Sequence, residues 1–291
     1  MAATEKDLRT IVVTGASTGI GHGTAKVLIK KGFRVFGSVR KQADADRLRK
    51  EFGANFFPLI FDVTDEKAVK ASTAQVAEKL SGWPLFGLVN NAGIAVPGPL
   101  LYLTIDEFRH QIDVNLTGQL ITTQAFAPLL MSNTEHKAGP GRIVMISSVG
   151  GKNASPFVGP YNASKFALEG LSESLRRELM LLGIDVIIIA PGAVATPIWD
   201  KADAIDVARF ANTPYAKMLA NLKDYMVASG RQGLSEERLG RAVWKALTAR
   251  NPKTRYVVTP DPIQNLMVNT LPKRTVDRII GRRLGLIPAK S

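Results

Sequence analysis

The feature that most constrains the fold is a glycine-rich turn between an apolar run and a helical pattern. Residues 9–13, RTIVV, lead into TGASTGIG at 14–21, and apolar residues then recur at helical spacing, at Ala25, Val27, Leu28 and Ile29. Gly15, Gly19 and Gly21 permit a tight turn, and they let backbone N–H groups and a helix N-terminus approach a pyrophosphate. A glycine pattern alone is a weak signal, but its place between a strand and a helix predicts a dinucleotide-binding turn.

The rest of the chain alternates strand-like apolar runs with helical patterns. Further strands are predicted at residues 33–39, 55–61, 85–91, 142–148, 184–190 and 255–259. Such alternation favours an α/β fold with a Rossmann-type, doubly wound, seven-stranded parallel sheet and helices on both faces. Because no repeat or low-complexity linker divides the chain, we expect a single domain over 1–260, followed by a basic extension over 261–291 that is not a separate domain.

Charged residues at strand ends bear on the form of the dinucleotide. Dinucleotide folds place after the second strand an acid for a free ribose 2′-hydroxyl, or an Arg for a 2′-phosphate. Residues 32–43 contain no acid, while Arg40 and Lys41 close the strand, so NADP is favoured over NAD. The alternative is that Arg40 is only a loop cation. Asp62, after the third strand, is placed either to accept from an adenine amino group or to cap the helix that begins near Asp65.

A Tyr and a Lys four residues apart form a candidate proton-transfer pair. On a helix, Tyr161 and Lys165 lie on one face, and a cation held beside a phenol lowers the phenol pKa from about 10. An isolated pair of this kind is more often solvated on a helix surface. Asn115 lies within a helix predicted from Thr104 to about Met131, where an amide among apolar neighbours is unfavourable unless it has a partner.

Together these motifs resemble the short-chain dehydrogenase/reductase family, in its shorter branch with the TGxxxGxG turn. The matching motifs follow the family's order over residues 9 to about 260: TGASTGIG at 14–21, Asp62 with Val63, NNAG at 90–93, Asn115, Ser148, YNASK at 161–165 and PGAVAT at 191–196. The resemblance implies a catalytic tetrad of Asn115, Ser148, Tyr161 and Lys165. In it Tyr161 exchanges a proton with the substrate oxygen and Ser148 polarises that oxygen. Lys165 lowers the tyrosine pKa and binds the nicotinamide ribose, and Asn115 holds a relay water.

The resemblance also implies the cofactor contacts, for direct hydride transfer between nicotinamide and a substrate carbon. The residues expected at the phosphates are Gly15, Ser17, Ile20 and Gly21, with Arg40 at the 2′-phosphate. Asp62 and Val63 are expected at the adenine and Asn91 near its ribose. The remaining expected cofactor contacts, besides Tyr161 and Lys165, are Ala92, Gly93, Pro191, Gly192 and Thr196.

In this family the segment after the sixth strand selects the substrate, so we expect a substrate lid at about 193–232. Its apolar residues, together with Phe157, are Ile198, Trp199, Phe210, Tyr215, Met218, Leu219 and Met226. An apolar lid containing Met suits a small lipophilic alcohol or ketone, such as a steroid, retinoid or terpenoid. The sequence looks most like hydroxysteroid and retinol dehydrogenase-like members. The same residues would equally pack the lid against the body. The alternative functions are a dinucleotide-binding scaffold with a basic tail and a 3-oxoacyl carrier-protein reductase that holds an acidic carrier.

The composition of the chain argues against disulfides, a metal site, a signal peptide and a membrane span. The chain of 291 residues has no Cys and three scattered His, so we expect no disulfide and no metal site. Its start, MAATEKDLRT, lacks the apolar core of a signal peptide. No apolar run reaches the roughly 18 residues of a membrane span. We therefore expect a cytoplasmic location and no nucleic-acid partner.

The net charge of +13 is unevenly placed, since residues 251–291 hold eight Lys or Arg against two Asp, giving +6. Residues 271–287 are predicted to form a helix in which Leu271, Val276, Ile279, Ile280 and Leu284 lie beneath Lys273, Arg274, Arg278, Arg282 and Arg283. Such a helix binds a membrane surface peripherally or a partner, or it docks on the body.

Small residues also line the Tyr/Lys helix. They are Ala163, Ala167, Gly170 and Ser174. This stripe indicates close helix packing, either inside the chain or across a subunit interface of a homodimer or homotetramer.

Overall fold

The computed structural model describes residues 9–131, 139–196, 208–219 and 233–287. These residues form a parallel sheet of seven strands in the order β3-β2-β1-β4-β5-β6-β7. The strands are β1 (Thr10–Val13), β2 (Arg34–Val39), β3 (Phe56–Ile60), β4 (Gly87–Asn90), β5 (Arg142–Ile146), β6 (Asp185–Pro191) and β7 (Arg255–Val258). The predicted Rossmann-type doubly wound sheet is confirmed, and every strand end lies within two residues of its predicted position.

Helices cover both faces of the sheet. They are α1 (Gly19–Lys30), α2 (Gln42–Phe52), α3 (Glu66–Leu80), α4 (Ile105–Ile112), α5 (Gly118–Phe126), α6 (Gly159–Glu178), α7 (Glu236–Thr248), α8 (Pro262–Thr270) and α9 (Lys273–Arg283). Successive strand residues point to opposite faces, so Ile11 and Val13 join the core with α1, α2 and α7, whereas Val12 joins the core with α3, α5 and α6. Burial on both faces explains the nearly continuous apolar runs of the strands.

A topological switch lies between β1 and β4. The chain runs outward from β1 to β3 and then returns to place β4 on the other side of β1. At such a point the segments that leave the carboxyl ends of the two strands diverge and leave a crevice. The glycine turn follows β1 and the NNAG motif begins in β4, so both border this crevice.

The helix predicted from Thr104 forms with one interruption. Thr104 caps α4 in a capping box with Glu107, as its position predicts. Between α4 and α5 the chain makes a π-helical turn, Asp113–Thr117, and a 3₁₀ turn, Ala127–Leu130, follows α5. Asn115 therefore lies in the irregular part of the element and not in a regular α-helix.

The C-terminal extension contains two helices where the sequence predicted one. In α9, Val276 and Gly281 are buried and Ile280 is partly buried, but Ile279 is exposed, so most of the predicted apolar stripe docks on the body and Ile279 does not. The preceding helix, α8, was not predicted. Among the described residues, no helix combines the length and the apolarity needed to cross a membrane.

Candidate active site

The glycine turn closes so tightly that there is no room for a side chain at Gly21. Gly15 adopts a left-handed backbone conformation with φ of 66°, and its N–H donates to the Ser38 hydroxyl at 2.9 Å. A Cβ added to Gly21 would lie 2.2 Å from the Gly15 carbonyl oxygen and 2.5 Å from Nδ2 of Asn91. This close approach requires glycine at position 21, and it brings the start of α1 against the turn.

The start of α1 offers free backbone donors at the crevice. Its N-cap residue, Thr18, makes no side-chain cap, and the first turn contains no acid. The first N–H groups of a helix lack intrahelical acceptors, and the helix dipole favours an anion there. Ile20 packs into the core beneath this turn, and the Ser17 carbonyl accepts from Arg47 at 2.6 Å, so the backbone around the donors is held in place.

The PGAVAT segment continues from β6 towards the same helix start. Gly192 donates its N–H to the Val258 carbonyl at 2.9 Å, next to Pro191 at the end of β6. A Cβ added to Gly19 would lie 3.2 Å from Cβ of Thr196. Thr196 therefore lies over the N-terminus of α1, and the PGAVAT segment borders the same crevice as the glycine turn.

Arg40 and Asp62 meet beyond the ends of β2 and β3. The Arg40 guanidinium lies 3.7 Å from the Asp62 carboxylate and is mostly exposed. Burial opposes the charge of Asp62, but hydrogen bonds from Thr64 and the nearby Arg40 hold the pKa of that carboxyl below its usual value. The helix-capping alternative for Asp62 is wrong, because Asp65 accepts from the first turn of α3 at 3.0 Å. Val63, the next residue, is buried.

Asn91 ties the NNAG motif to the glycine turn. Its Nδ2 donates to the carbonyl oxygens of Thr14 at 2.8 Å and Gly15 at 3.1 Å. In return, the Thr14 hydroxyl accepts from the N–H groups of Asn91 and Ala92 at 2.9 and 3.0 Å. A Cβ added to Gly93 would lie 3.2 Å from Oδ1 of Asn115. The two walls of the crevice are therefore one hydrogen-bonded unit.

Three buried amides hold the NNAG motif and the loop after it, and the sequence identified one of them. Asn115 accepts from the Ile94 N–H at 2.8 Å and donates to the Ile94 carbonyl at 3.0 Å and to the Ser164 hydroxyl at 3.1 Å. Gln111 pairs with the loop in the same way, donating to Ile94 at 2.9 Å, and Gln119 donates to the Ala92 carbonyl. The signal that was available is the four-residue spacing of amides at 111, 115 and 119.

Ser148, Tyr161 and Lys165 converge at the carboxyl end of β5. The Ser148 hydroxyl accepts from the Gly150 N–H at 3.0 Å and hydrogen-bonds to the Tyr161 hydroxyl. Lys165 is buried, its Nζ donates to the Ile146 carbonyl at 2.8 Å, and it lies 5.7 Å from the centre of the Tyr161 ring. The solvated-surface alternative for this pair is therefore wrong for Lys165.

The pKa of Tyr161 moves in the direction opposite to the expected one. Burial raises the Tyr161 pKa, and the Ser148 hydrogen bond only partly opposes this. Burial also lowers the pKa of Lys165 to about 8, against the attraction of Glu169. The expected lowering by Lys165 is absent, and the Lys165 ammonium donates to the Ile146 carbonyl.

An ion pair between the buried Glu169 and the half-buried Arg255 supports this group from behind, and the sequence did not reveal it. Glu169, one helical turn after Lys165, accepts from Nε of Arg255 at 2.9 Å and from the Ser147 hydroxyl at 2.7 Å. The Arg255 guanidinium also reaches the Ser148 carbonyl at 3.5 Å. The pair therefore joins α6, β7 and the end of β5 directly behind Ser148.

The described lid residues form a small apolar cluster. Phe157 and Phe210 are buried together with Leu219, and Tyr215 and Met218 pack against them. The Phe157 ring lies 5.5 Å from the Tyr215 ring, edge to face, and Phe157 has a φ of 64°, a left-handed conformation that usually requires glycine. Five of the eight predicted lid residues are thus brought together. The predicted residues Ile198, Trp199 and Met226 lie outside the described residues.

Comparison with known proteins decides the family. The family model for short chain dehydrogenase matches residues 9–205. The chain belongs to the short-chain dehydrogenase family. It is therefore an oxidoreductase whose fold binds a nicotinamide dinucleotide.

Relatives within the short-chain dehydrogenase family match nearly the whole chain. An NADPH-dependent 3-dehydrocapnine reductase of Ornithobacterium rhinotracheale is 36% identical over 98% of this chain and 100% of its own length. Retinol dehydrogenase 5 of Homo sapiens is 32% identical over 93% of this chain and 87% of its own length. Among solved structures, a short-chain dehydrogenase from Streptomyces avermitilis superposes with a TM-score of 0.76 at 25% identity, covering 97% of this chain and 99% of that one. The resemblance to retinol dehydrogenase-like members is confirmed.

Proposed function

We propose that the protein is an NADP(H)-dependent oxidoreductase that interconverts a small lipophilic alcohol and its carbonyl compound. The observation that carries this proposal is the group formed by Ser148, Tyr161 and the buried Lys165 at the carboxyl edge of the sheet. A charged ammonium in a buried position destabilises the folded state. A pure scaffold would have no use for this group, so its presence favours an enzyme.

The crevice fits a dinucleotide. The glycine turn leaves backbone donors exposed at the start of α1 with no acid in the first turn, which suits a pyrophosphate. Arg40 stands exposed at the end of β2, where a 2′-phosphate would lie. The NADPH dependence named for the Ornithobacterium relative agrees with this charge.

In the proposed mechanism, the bound nicotinamide supplies or accepts the hydride. In the reductive direction Tyr161 donates the proton to the substrate oxygen, since its raised pKa keeps the phenol protonated at neutral pH. Ser148 hydrogen-bonds to the same oxygen. Lys165, with a pKa of about 8, is mainly an ammonium at neutral pH. It uses one N–H for Ile146 and keeps two donors for the ribose and the phenol. Asn115 fixes the loop at Ile94, which borders the site.

The apolar cluster of Phe157, Phe210, Tyr215 and Met218 supports a lipophilic substrate. The names of two relatives, a retinol dehydrogenase and a 3-dehydrocapnine reductase, are compatible with this class without selecting one member. A steroid, retinoid or terpenoid alcohol or ketone is the class to screen first.

The catalytic assignment is tested by Tyr161→Phe. We expect loss of NADPH oxidation in a screen of lipophilic ketones and aldehydes, with cofactor binding retained, because the ring stays and only the proton donor is removed. Tyr256→Phe is the matched control, since the Tyr256 hydroxyl accepts from the Lys253 backbone at 3.0 Å, outside the crevice. A Tyr161→Phe enzyme with near wild-type kcat would refute the assignment.

The cofactor assignment is tested by Arg40→Ala. Loss of a charge-assisted contact to a 2′-phosphate should raise the KM for NADPH by about tenfold or more, about 1.4 kcal/mol or more, and leave the KM for NADH unchanged. Arg109→Ala, which removes an exposed cation paired with Asp106, is the control. Equal effects of Arg40→Ala on the two cofactors would count against the contact.

A homo-oligomer is the proposed assembly. The small residues Ala163, Ala167, Gly170 and Ser174 are exposed on α6, so the internal-packing alternative for this stripe is wrong. Light scattering after size exclusion measures the state, and Gly170→Arg should reduce it to a monomer if α6 forms the contact.

A further inference from the structure

Helix α8 turns its apolar residues outward. Ile263, Leu266 and Met267, at positions i, i+3 and i+4, are 71%, 63% and 51% exposed. Surface helices of globular proteins normally point such residues at the core. Asp261 caps the first turn of the helix by accepting from the Gln264 N–H at 2.9 Å, and Asn269 joins its last turn to the body by accepting from Asn153 at 2.8 Å. The exposed apolar face is therefore a fixed feature of the surface.

Helix α9, two residues further along the chain, exposes a strongly basic face. Its cations are Lys273, Arg274, Arg278, Arg282 and Arg283, and its single acid is Asp277, so five positive charges against one negative give +4. Its apolar residues Val276 and Ile280 pack inward. The face left to solvent is therefore cationic, with Ile279 as its exposed apolar member.

A third exposed apolar segment adjoins α9 across a groove. Leu100, Leu101 and Ile105 are all exposed, and Leu100 lines a groove of about 640 Å³ together with Ile280 and Leu286. Neighbouring exposed apolar residues are typical of an interaction surface.

We propose that α8 and α9 dock the protein on an anionic lipid bilayer, with Ile263, Leu266 and Met267 at the boundary between headgroups and acyl chains. Apolar side chains beside clustered Lys and Arg form the pattern that binds such a surface in its plane. A second copy of the chain is a poorer occupant, because a two-fold contact through this face would bring the two +4 helices together. The docking is independent of the proposed catalytic function.

The test is flotation of the full-length protein with vesicles, without substrate or cofactor. We expect at least tenfold stronger binding to vesicles of phosphatidylcholine with a quarter phosphatidylserine than to phosphatidylcholine alone. The triple variant Ile263→Ser, Leu266→Ser, Met267→Ser should lose at least tenfold in binding, and Arg278→Gln with Arg282→Gln should do the same.

Matched control variants distinguish docking through α8 and α9 from non-specific binding to vesicles. Met180→Ser with Leu181→Ser removes equally exposed apolar side chains elsewhere, Leu181 being 90% exposed, and should leave binding unchanged. Arg109→Gln with Arg177→Gln removes two exposed cations outside α8 and α9, and it should also leave binding unchanged.

Insertion into the bilayer is measured by the fluorescence of the tryptophan in Met267→Trp. On anionic vesicles its emission should shift to the blue, and brominated lipids should quench it. No binding to anionic vesicles overturns the proposal, and so does equal loss in the controls. A triple variant that changes oligomeric state but not vesicle binding would assign this face to a second copy. Each of these failures leaves the catalytic proposal standing.

Discussion

Replacing Lys165 by Met should make the protein more stable and inactive. Lys165 is only 4% exposed, and burial lowers its pKa from 10.5 to about 8. Because one pKa unit corresponds to about 1.4 kcal/mol, keeping this ammonium charged at pH 7 destabilises the folded state by about 3 kcal/mol. The exchange also removes the hydrogen bond to the Ile146 carbonyl, worth about 1 kcal/mol. The expected net gain is about 2 kcal/mol in the free energy of unfolding.

The pH dependence identifies the cause of this gain. The folded protein releases the Lys165 proton near pH 8, whereas the unfolded chain releases it near pH 10.5, so the unfolded state binds more protons between these values. The destabilisation is therefore fully present below pH 8 and declines as the pH rises through this window. Between pH 7 and pH 9 the wild type should recover about 1 kcal/mol, and the advantage of the variant should shrink by that amount.

The assay is urea unfolding followed by far-UV circular dichroism, at pH 7 and pH 9, for the wild type and Lys165→Met. Lys152→Met is the control, because Lys152 is exposed and its replacement should change stability by less than about 0.5 kcal/mol. A Lys165→Met protein that is less stable than the wild type at pH 7 refutes the reasoning, and so does a difference that is the same at both pH values.

Two further substitutions test residues that support the site. Glu169→Gln leaves the Arg255 guanidinium without its carboxylate and should lower the free energy of unfolding by about 3 kcal/mol. The control, Glu173→Gln, lies in an exposed pair and should change the free energy of unfolding by less than about 1 kcal/mol. Equal losses in urea unfolding would contradict a special contribution of the Glu169–Arg255 pair. Gly21→Ala adds a Cβ 2.2 Å from a carbonyl oxygen of the glycine turn, so fluorescence titration should show NADPH binding weakened by about tenfold or more. Gly170→Ala, where a Cβ meets nothing within 4 Å, should leave NADPH binding unchanged, and equal weakening would point to a general helix effect.

The sheet was predictable because parallel strands covered on both faces read as apolar runs, and each run here is bounded by turn residues. The same logic located the glycine turn, since its chemistry is local: Gly15 and Gly21 approach each other within seven residues of chain. The interruption around Asn115 was not predictable, because the hydrogen bonds that Asn115 makes there join it to Ile94 and Ser164, which are distant in the chain. The spacing of Ile263, Leu266 and Met267 after Asp261 and Pro262 is a helix signal that was available for α8. That these apolar residues face solvent could not be predicted from the spacing.

Contacts between distant parts of the chain could not be predicted from the sequence. Glu169 and Arg255 are separated by 86 positions, and neither lies in a motif. The direction of the Tyr161 pKa was expected wrongly because the spacing of Tyr161 and Lys165 places them on one face but says nothing about burial. Packing around α6 decides that burial, and burial raises the Tyr161 pKa by more than the Ser148 hydrogen bond lowers it.

The π turn Asp113–Thr117 sets a strict limit on insertions and deletions in this part of the chain. A regular α-helix advances about 100° per residue, so two side chains four positions apart point in directions that differ by about 40°. The π turn between Gln111 and Gln119 has more residues per turn, and this offsets the difference. Deleting one residue from the turn would rotate Gln111 by about 100° relative to Gln119. Both amides would then no longer hold the same loop. Natural variation in length is therefore expected to avoid residues 113–117.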